Sequence, residues 1–387
     1  MIAYNKEWLN DNIALDEIEN AFAKNNISQE ERDAAAAQFK TGFYTPNIYI
    51  RAGLVLLTFI IVSFSSAVLA LFFISTDLDI ERSAAILGIF LGVACHVALE
   101  LFVQKKHHYQ SGVDDALLWM GAIYFVTGSY FLFNLSALGT AILICILSLY
   151  CTLRFADRLM AAVTALALLS MIFFAVLRIG SVAKFILPFV LMFVSALIYF
   201  GSKKIKSILA NKYYNDCLLV TSIVGLACVY LAGNYFVVRE ASVEFFDMSL
   251  TKNETIPFGW LFWIFSFAIP LSYIFAGVKK KDVVLIRVGL LLVAGIVFTV
   301  RYYYHMVPLE ISMIIGGIVM IGIAYALLKY LKIPRRGFTA IADLNAKRST
   351  NLEALIIAET LSAPQQSPSG TQFGGGDFGG GGASGEF

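Results

Sequence analysis

The sequence predicts an all-α, polytopic membrane protein of about ten transmembrane helices, with a small soluble helical hairpin at its N-terminus. Three observations predict it. Hydrophobic residues make up 59% of the 387 residues and charged residues only 14%, where soluble proteins carry about 25% charged. The apolar residues gather in runs close to the ~20 that a helix needs to cross a bilayer. Lys and Arg concentrate in alternate connections between those runs. The net charge of +2 gives no global basic field, so the balance excludes nucleic acid as a partner and leaves the lipid bilayer.

Residues 1–50 form the head. Leu15, Ile18 and Phe22 recur at helical spacing, Asn25 and Asn26 interrupt the run, and Ser28 with Glu31 has the form of a capping box opening a second helix. Residues 5–41 thus read as a helical hairpin, expected to be uncovered, with an apolar face too small to stand without something to pack against. The charges at Lys6, Glu7, Asp11, Asp16 and Glu17 are incompatible with a signal-peptide core. Thr45, Pro46 and Asn47 form the joint before the membrane.

The bundle occupies 51–331, with spans expected at 52–74, 84–103, 116–133, 135–152, 159–177, 183–200, 217–237, 258–277, 283–300 and 310–331. The third and fourth are separated only around Asn134. With the N-terminus inside, the inner loops hold eleven Lys and Arg, among them Lys105, Lys106, Arg154, Arg158, Lys203 and Lys279, whereas the outer loops hold six. This bias places both termini in the cytoplasm of a multi-pass protein of the cell's inner (plasma) membrane. The five cysteines lie in apolar stretches with no CxxC pair and read as packing residues.

After the last span, Pro334, Arg335 and Arg336 stop the helix, and 332–363 reads as an amphipathic segment capped by Thr350 and Glu353. Residues 364–387 are a Gly-rich tail with Phe373, Phe378 and Phe387, of a composition that does not fold alone. Between the seventh and eighth spans, 239–257 reads as the longest outer loop; its Asn253-Glu254-Thr255 sequon carries little weight, because such triplets are frequent by chance.

Few polar groups enter the bundle. In the second span Gly88, Gly92, His96 and Glu100 follow at four-residue steps and form one ridge. The glycines are candidates for close helix packing. His96 and Glu100, with Asp114 and Asp115 opening the third span on the same side, are the candidate intramembrane polar site and would act as a proton or cation relay. The plainer reading is a packing ridge in which His96 and Glu100 pair with each other while Glu100 reaches interfacial water. Arg154, Asp157 and Arg158 are expected to pair among themselves. Arg301, Tyr302 and His305 form a candidate outer-face patch for an anion, or an interfacial aromatic belt with an arginine anchor, which explains them more cheaply. Lys105, Lys106, His107 and His108 lack metal-ligand spacing and read as a basic inner loop. Pro188 and Pro270 interrupt the sixth and eighth spans and suggest kinks. No metal site, cofactor motif or catalytic signature such as GxSxG, HExxH or GxxxxGK[ST] is present, so no enzymatic activity is expected.

Trp8, Leu15, Ile18, Phe22, Asn26-Ile27-Ser28 and Glu31, followed by a span, resemble the helical head of a family of bacterial integral membrane proteins of unassigned role. The Gly-rich ending with a final aromatic is similar to tails on bacterial membrane proteins of envelope or stress gene sets, although those usually end in tryptophan rather than Phe387. Neither resemblance transfers a catalytic residue. The expected function is a membrane scaffold or sensor whose head and tail contact cytoplasmic protein partners. The alternative is a transporter of a small solute or ion, proton-coupled through His96 and Glu100. No pattern encodes an oligomeric state.

Overall fold

Lipid offers no partner to a backbone amide, so each apolar run must close its own hydrogen bonds and becomes a helix. The computed structural model describes residues 2–23, 26–39, 41–74, 79–180, 182–208, 212–246, 256–303 and eight single positions between 314 and 329. Its elements belong to one compact unit, Met1–Ala342. Two helices form the head, α1 (Lys6–Ala23) and α2 (Gln29–Ala36). Ten follow: α3 (Ile48–Ile74), α4 (Ile80–Lys106), α5 (Val113–Phe133), α6 (Ala137–Phe155), α7 (Arg158–Leu177), α8 (Ala183–Ile208), α9 (Asn215–Gly233), α10 (Tyr235–Phe246), α11 (Gly259–Lys280) and α12 (Val283–Tyr303). Among the described residues nine helices are long and apolar enough to cross a membrane, all of these ten except α10. The tenth expected span, 310–331, lies outside the described residues apart from single helical positions such as Ile314, Ile318 and Tyr325. The 332–363 segment, the tail 364–387 and the sequon at Asn253 also lie outside them.

Four hairpins, α4/α5, α6/α7, α8/α9 and α11/α12, make up most of the bundle, and α7 and α9 join them. The first span, α3, leans on α4 and α5 and is almost wholly lipid-facing, with only 6% of its apolar window buried against 28–39% in the other spans. All four hairpins close at one end, here called the head face. Three of their turns share a chemistry. The incoming helix ends on a left-handed residue, His107 (φ 55°), Ala156 (φ 51°) or Lys281 (φ 55°), and in the last two a carboxylate receives free amides of the outgoing helix. Asp157 accepts from the Met160 amide at 2.6 Å, and Asp282 accepts from Val284 at 3.1 Å and Leu285 at 3.3 Å. Asn134 (φ 47°) ends α5 in the same conformation and separates the third and fourth spans.

Ion pairs then tie α3 to the first hairpin and the hairpins to one another. Arg51 binds Asp115 (2.6 Å), Arg154 binds Glu100 (2.7 Å), Arg158 binds Asp216 (2.7 Å), and Lys203 binds Asp282. This corrects the expected internal pairing of Arg154, Asp157 and Arg158: the two arginines reach outward to α4 and α9, while Asp157 serves a helix start. Lipid tails are as apolar as leucine, so close packing rather than hydrophobicity holds spans together. The small residues Gly88, Gly92, Gly121 and Gly128 therefore line the α4/α5 seam. A Cβ on Gly92 would stand 2.7 Å from the Phe125 backbone, and one on Gly128 would stand 2.6 Å from the Ala85 carbonyl.

Two expectations are corrected. The seventh span does not run unbroken to 237: α9 stops at Gly233, and after Asn234 the chain restarts as α10, so the expected loop 239–257 begins in helix. The head, moreover, is not uncovered. Ser28 and Glu31 do form the capping box of α2. The chain entering α1, however, packs on the head face, burying Tyr4 (8% exposed) and Leu9 (4%) in one cluster with Leu99, Cys151, Phe155 and Met160 of the spans.

Candidate functional site

The ridge on α4 lies against α5 and α6. Gly121 of α5 makes room for His96, since a Cβ there would stand 2.7 Å from the imidazole Nδ1. His96 Nδ1 is 3.2 Å from the Gly92 carbonyl, which can only accept, so this nitrogen carries the proton. Its Nε2 is then free to accept from the Cys151 thiol at 3.6 Å. One turn further on, Glu100 takes two bonds from Arg154, Nε at 2.7 Å and Nη2 at 2.9 Å, and a third from Gln104 at 2.6 Å. His96 and Glu100 thus take partners on α6 instead of pairing with each other. Beside them lies an open groove of about 400 Å³, lined by Gly92, His96, Glu100, Gln104, Phe125 and Tyr150 among others. It is a lateral depression: the carboxylate that would relay protons is occupied by a two-point guanidinium contact.

Asp114 and Asp115 do not join this group. Asp114, 4% exposed, accepts from the Ser111 amide (2.9 Å), the Ser111 hydroxyl (3.0 Å) and the Gly112 amide (3.1 Å). It shapes a turn in which Gly112 has φ 94°, a conformation that favours glycine. Asp115 is committed to Arg51. The neighbouring histidines are also occupied. His107 stands edge-on to Trp8 at 4.8 Å, and His108 Nδ1 lies 2.7 Å from the Ser111 hydroxyl. Burial holds the His108 pKa below its ordinary value, against the pull of Asp114.

The head plugs the space between these turns. The Ala3 amide donates to the Arg154 carbonyl at 2.8 Å, on the residue that holds Glu100. The Tyr4 ring stands edge-on to Tyr109 at 5.0 Å and Phe43 at 6.1 Å. Burial raises the Tyr4 pKa well above the usual phenol value and pushes that of Tyr109 to about 12, so both act as neutral packing groups. Tyr213, at the α8/α9 turn, donates to Asn10 at 2.8 Å, and Lys212 approaches Glu17 at 3.8 Å. Charge favours this seat: residues 5–38 carry eight carboxylates against three cations, and the head face carries most of the basic turns. Comparison of the chain with protein-family models, curated proteins and solved structures finds no match. The site is therefore interpreted from its own geometry.

At the opposite end, Tyr302 packs on Phe236 (4.6 Å), and Tyr303 packs on Tyr235 (5.1 Å) and Trp263 (5.8 Å), with the Arg239 guanidinium 5.5 Å from its ring centre. Arg301 lies in the last turn of α12, and His305 is outside the described residues. The aromatics pin α10 to α11 and α12. Beneath them is a buried polar centre that the sequence reading missed. Asn234, 2% exposed, donates to Tyr230 and Thr299, each at 2.9 Å. Its Oδ1 accepts from the Phe236 and Val237 amides, and the Ser266 hydroxyl accepts from the Tyr235 amide at 3.0 Å. All three amides opening α10 are thereby satisfied by side chains, which a helix start packed away from water requires. The signal was the dipeptide Gly233-Asn234 in an apolar run, a pair suited to ending a helix.

Proposed function

We propose that this chain is a scaffold or sensor of the inner membrane, with its head seated on the cytoplasmic face of the bundle. The seat is a reversible latch for a cytoplasmic protein partner, and the tail is a second contact. The observation that carries this reading is the burial of Tyr4 and Leu9 among span residues, with Ala3 bonded to the residue that grips Glu100. A change at the Glu100–Arg154 pair would therefore be felt by the head. The closed state of that pair and the open, lateral position of the groove beside it weigh against transport, and the reading assigns no catalysis.

The test uses full-length protein in proteoliposomes. Protease should cut the wild type slowly between α2 and α3, and Tyr4→Ala with Leu9→Ala should speed that cleavage at least tenfold without loss of membrane insertion. Equal cleavage rates would remove the latch. A pH-driven flux in the wild type that vanishes in Glu100→Gln would replace this reading with the transporter. Orientation is checked on Lys203→Cys and Lys279→Cys, which should resist labelling from the periplasm.

A further inference from the structure

We infer that a slot between α7, α8, α9 and α10, at the end of the bundle away from the head, binds a single-chain anionic amphiphile, a long-chain fatty acid, with the chain inside and the carboxylate at Lys184. The cavity measures about 360 Å³, which is within the ordinary range for a small-ligand site. Its walls are apolar: Leu169 and Phe173 of α7, Leu187 and Leu191 of α8, and Val238 and Ala241 of α10. It exists because the chain breaks at Asn234. If α9 continued straight, α10 would not fold across the opening between α7 and α8 as its fourth wall.

One polar group marks direction. Among the described residues Lys184 is the only charged one in the lining, and it sits in the first turn of α8. Among the described residues no carboxylate pairs with it; its ammonium lies 5.2 Å from the Phe185 ring centre. Ser195 lies eleven residues deeper on the same helix, which is about 16 Å down the axis. Its hydroxyl is buried and has no hydrogen-bond partner among the described residues. An alkyl chain leaves that hydroxyl unpaired, so Lys184 alone orients the ligand. The result is a narrow apolar slot with a cation at its mouth near the membrane surface, reaching roughly to mid-depth. One acyl chain matches that length and section, whereas a diacyl lipid would need far more volume. This site is argued independently of the head latch, and its test reads binding directly.

Purified full-length protein in mild detergent is photolabelled with a palmitate analogue carrying a diazirine near the chain end, and the adducts are mapped by mass spectrometry. Saturable labelling is expected on the lining residues level with Ser195, Leu166 and Leu169 of α7 and Cys228 of α9. Palmitate should displace the probe about tenfold better than palmityl alcohol, the preference one charge-assisted contact provides. Lys184→Gln should keep the labelling and lose that preference; Ala241→Trp, which fills the slot, should lose the labelling. The inference is overturned by labelling that never saturates and is as strong at the lipid-facing Leu197 and Phe200. It is equally overturned by alcohol competing as well as acid in the wild type, and stronger competition by phosphatidylglycerol would assign the slot to a bilayer diacyl lipid instead.

Discussion

Glu100 of α4 and Arg154 of α6 meet in a two-point ion pair, Oε1 to Nε at 2.7 Å and Oε2 to Nη2 at 2.9 Å. Both side chains are about three-quarters removed from solvent. This contact ties two hairpins together just beneath the seat of the head. A half-buried pair lies between the exposed case, worth under about 1 kcal/mol, and the buried case, where loss of one partner costs about 3–5 kcal/mol. Glu100→Gln should therefore lower stability by about 2 kcal/mol. A double-mutant cycle with Arg154→Gln on denaturant unfolding should return a coupling of at least about 1 kcal/mol, and a cycle that closes at zero would make the pair incidental.

Ala156 offers a gain. It holds φ 51° between α6 and α7, where a Cβ is strained and glycine is not. Ala156→Gly should stabilise the protein by about 1 kcal/mol, seen as a higher thermal midpoint. A lower midpoint would show that the Ala156 side chain contributes more by packing than its backbone strain costs.

The seat of the head is mainly apolar. The Lys212–Glu17 pair is more than half exposed on both sides, so screening it should matter little. Raising salt from 0.05 to 0.5 M, conditions of about 14 and 4 Å Debye length, should change head cleavage by less than about threefold. Tyr4→Ala, which removes a buried aromatic, should change it far more. Cleavage that follows salt more closely than the Tyr4 substitution would make charge the principal tether.

Asn234 sits under α10 as Ser28 sits under α2, except that water cannot replace it. Asn234→Leu would leave the Phe236 and Val237 amides and two hydroxyls without this partner, a loss of about 3 kcal/mol or more. Hydrogen exchange should show α10 opening first, with α4 and α5 unaffected. Uniform loss across the bundle would contradict a local role.

His108 sets a pH dependence. Its pKa in the folded protein is held below the ordinary 6.5, chiefly by burial and secondarily by Lys106, with Asp114 opposing. Between those two values the unfolded chain binds more protons, so stability is fully present above 6.5 and declines as pH falls below it. His108→Gln should flatten the denaturation midpoint between pH 7 and 5. An unchanged slope would assign the acid sensitivity elsewhere.

The spans were legible because each is a local property: twenty apolar residues in lipid have one way to satisfy their amides. The capping box at Ser28 and Glu31 and the break at Asn134 were legible for the same reason, since neighbours in sequence decide them. The partners of His96 and Glu100 were not. A four-residue step says that two side chains share a face, but Cys151 and Arg154 arrive from another helix.

The sequence by itself determined an all-α membrane chain, the placement of its nine described spans to within a few residues, apart from longer helix ends and the end of the seventh, and the basic character of one set of turns. Only the tertiary structure decided that the head is seated and not free, that Asp114 and Asp115 serve a turn and an ion pair instead of joining His96, and that the seventh span ends at Gly233, with the chain restarting after Asn234 as the short helix α10. The physical reason is range. Hydrophobic length and turn chemistry are written in consecutive residues, whereas the satisfaction of a buried polar group depends on which distant side chain the packing brings within 3 Å.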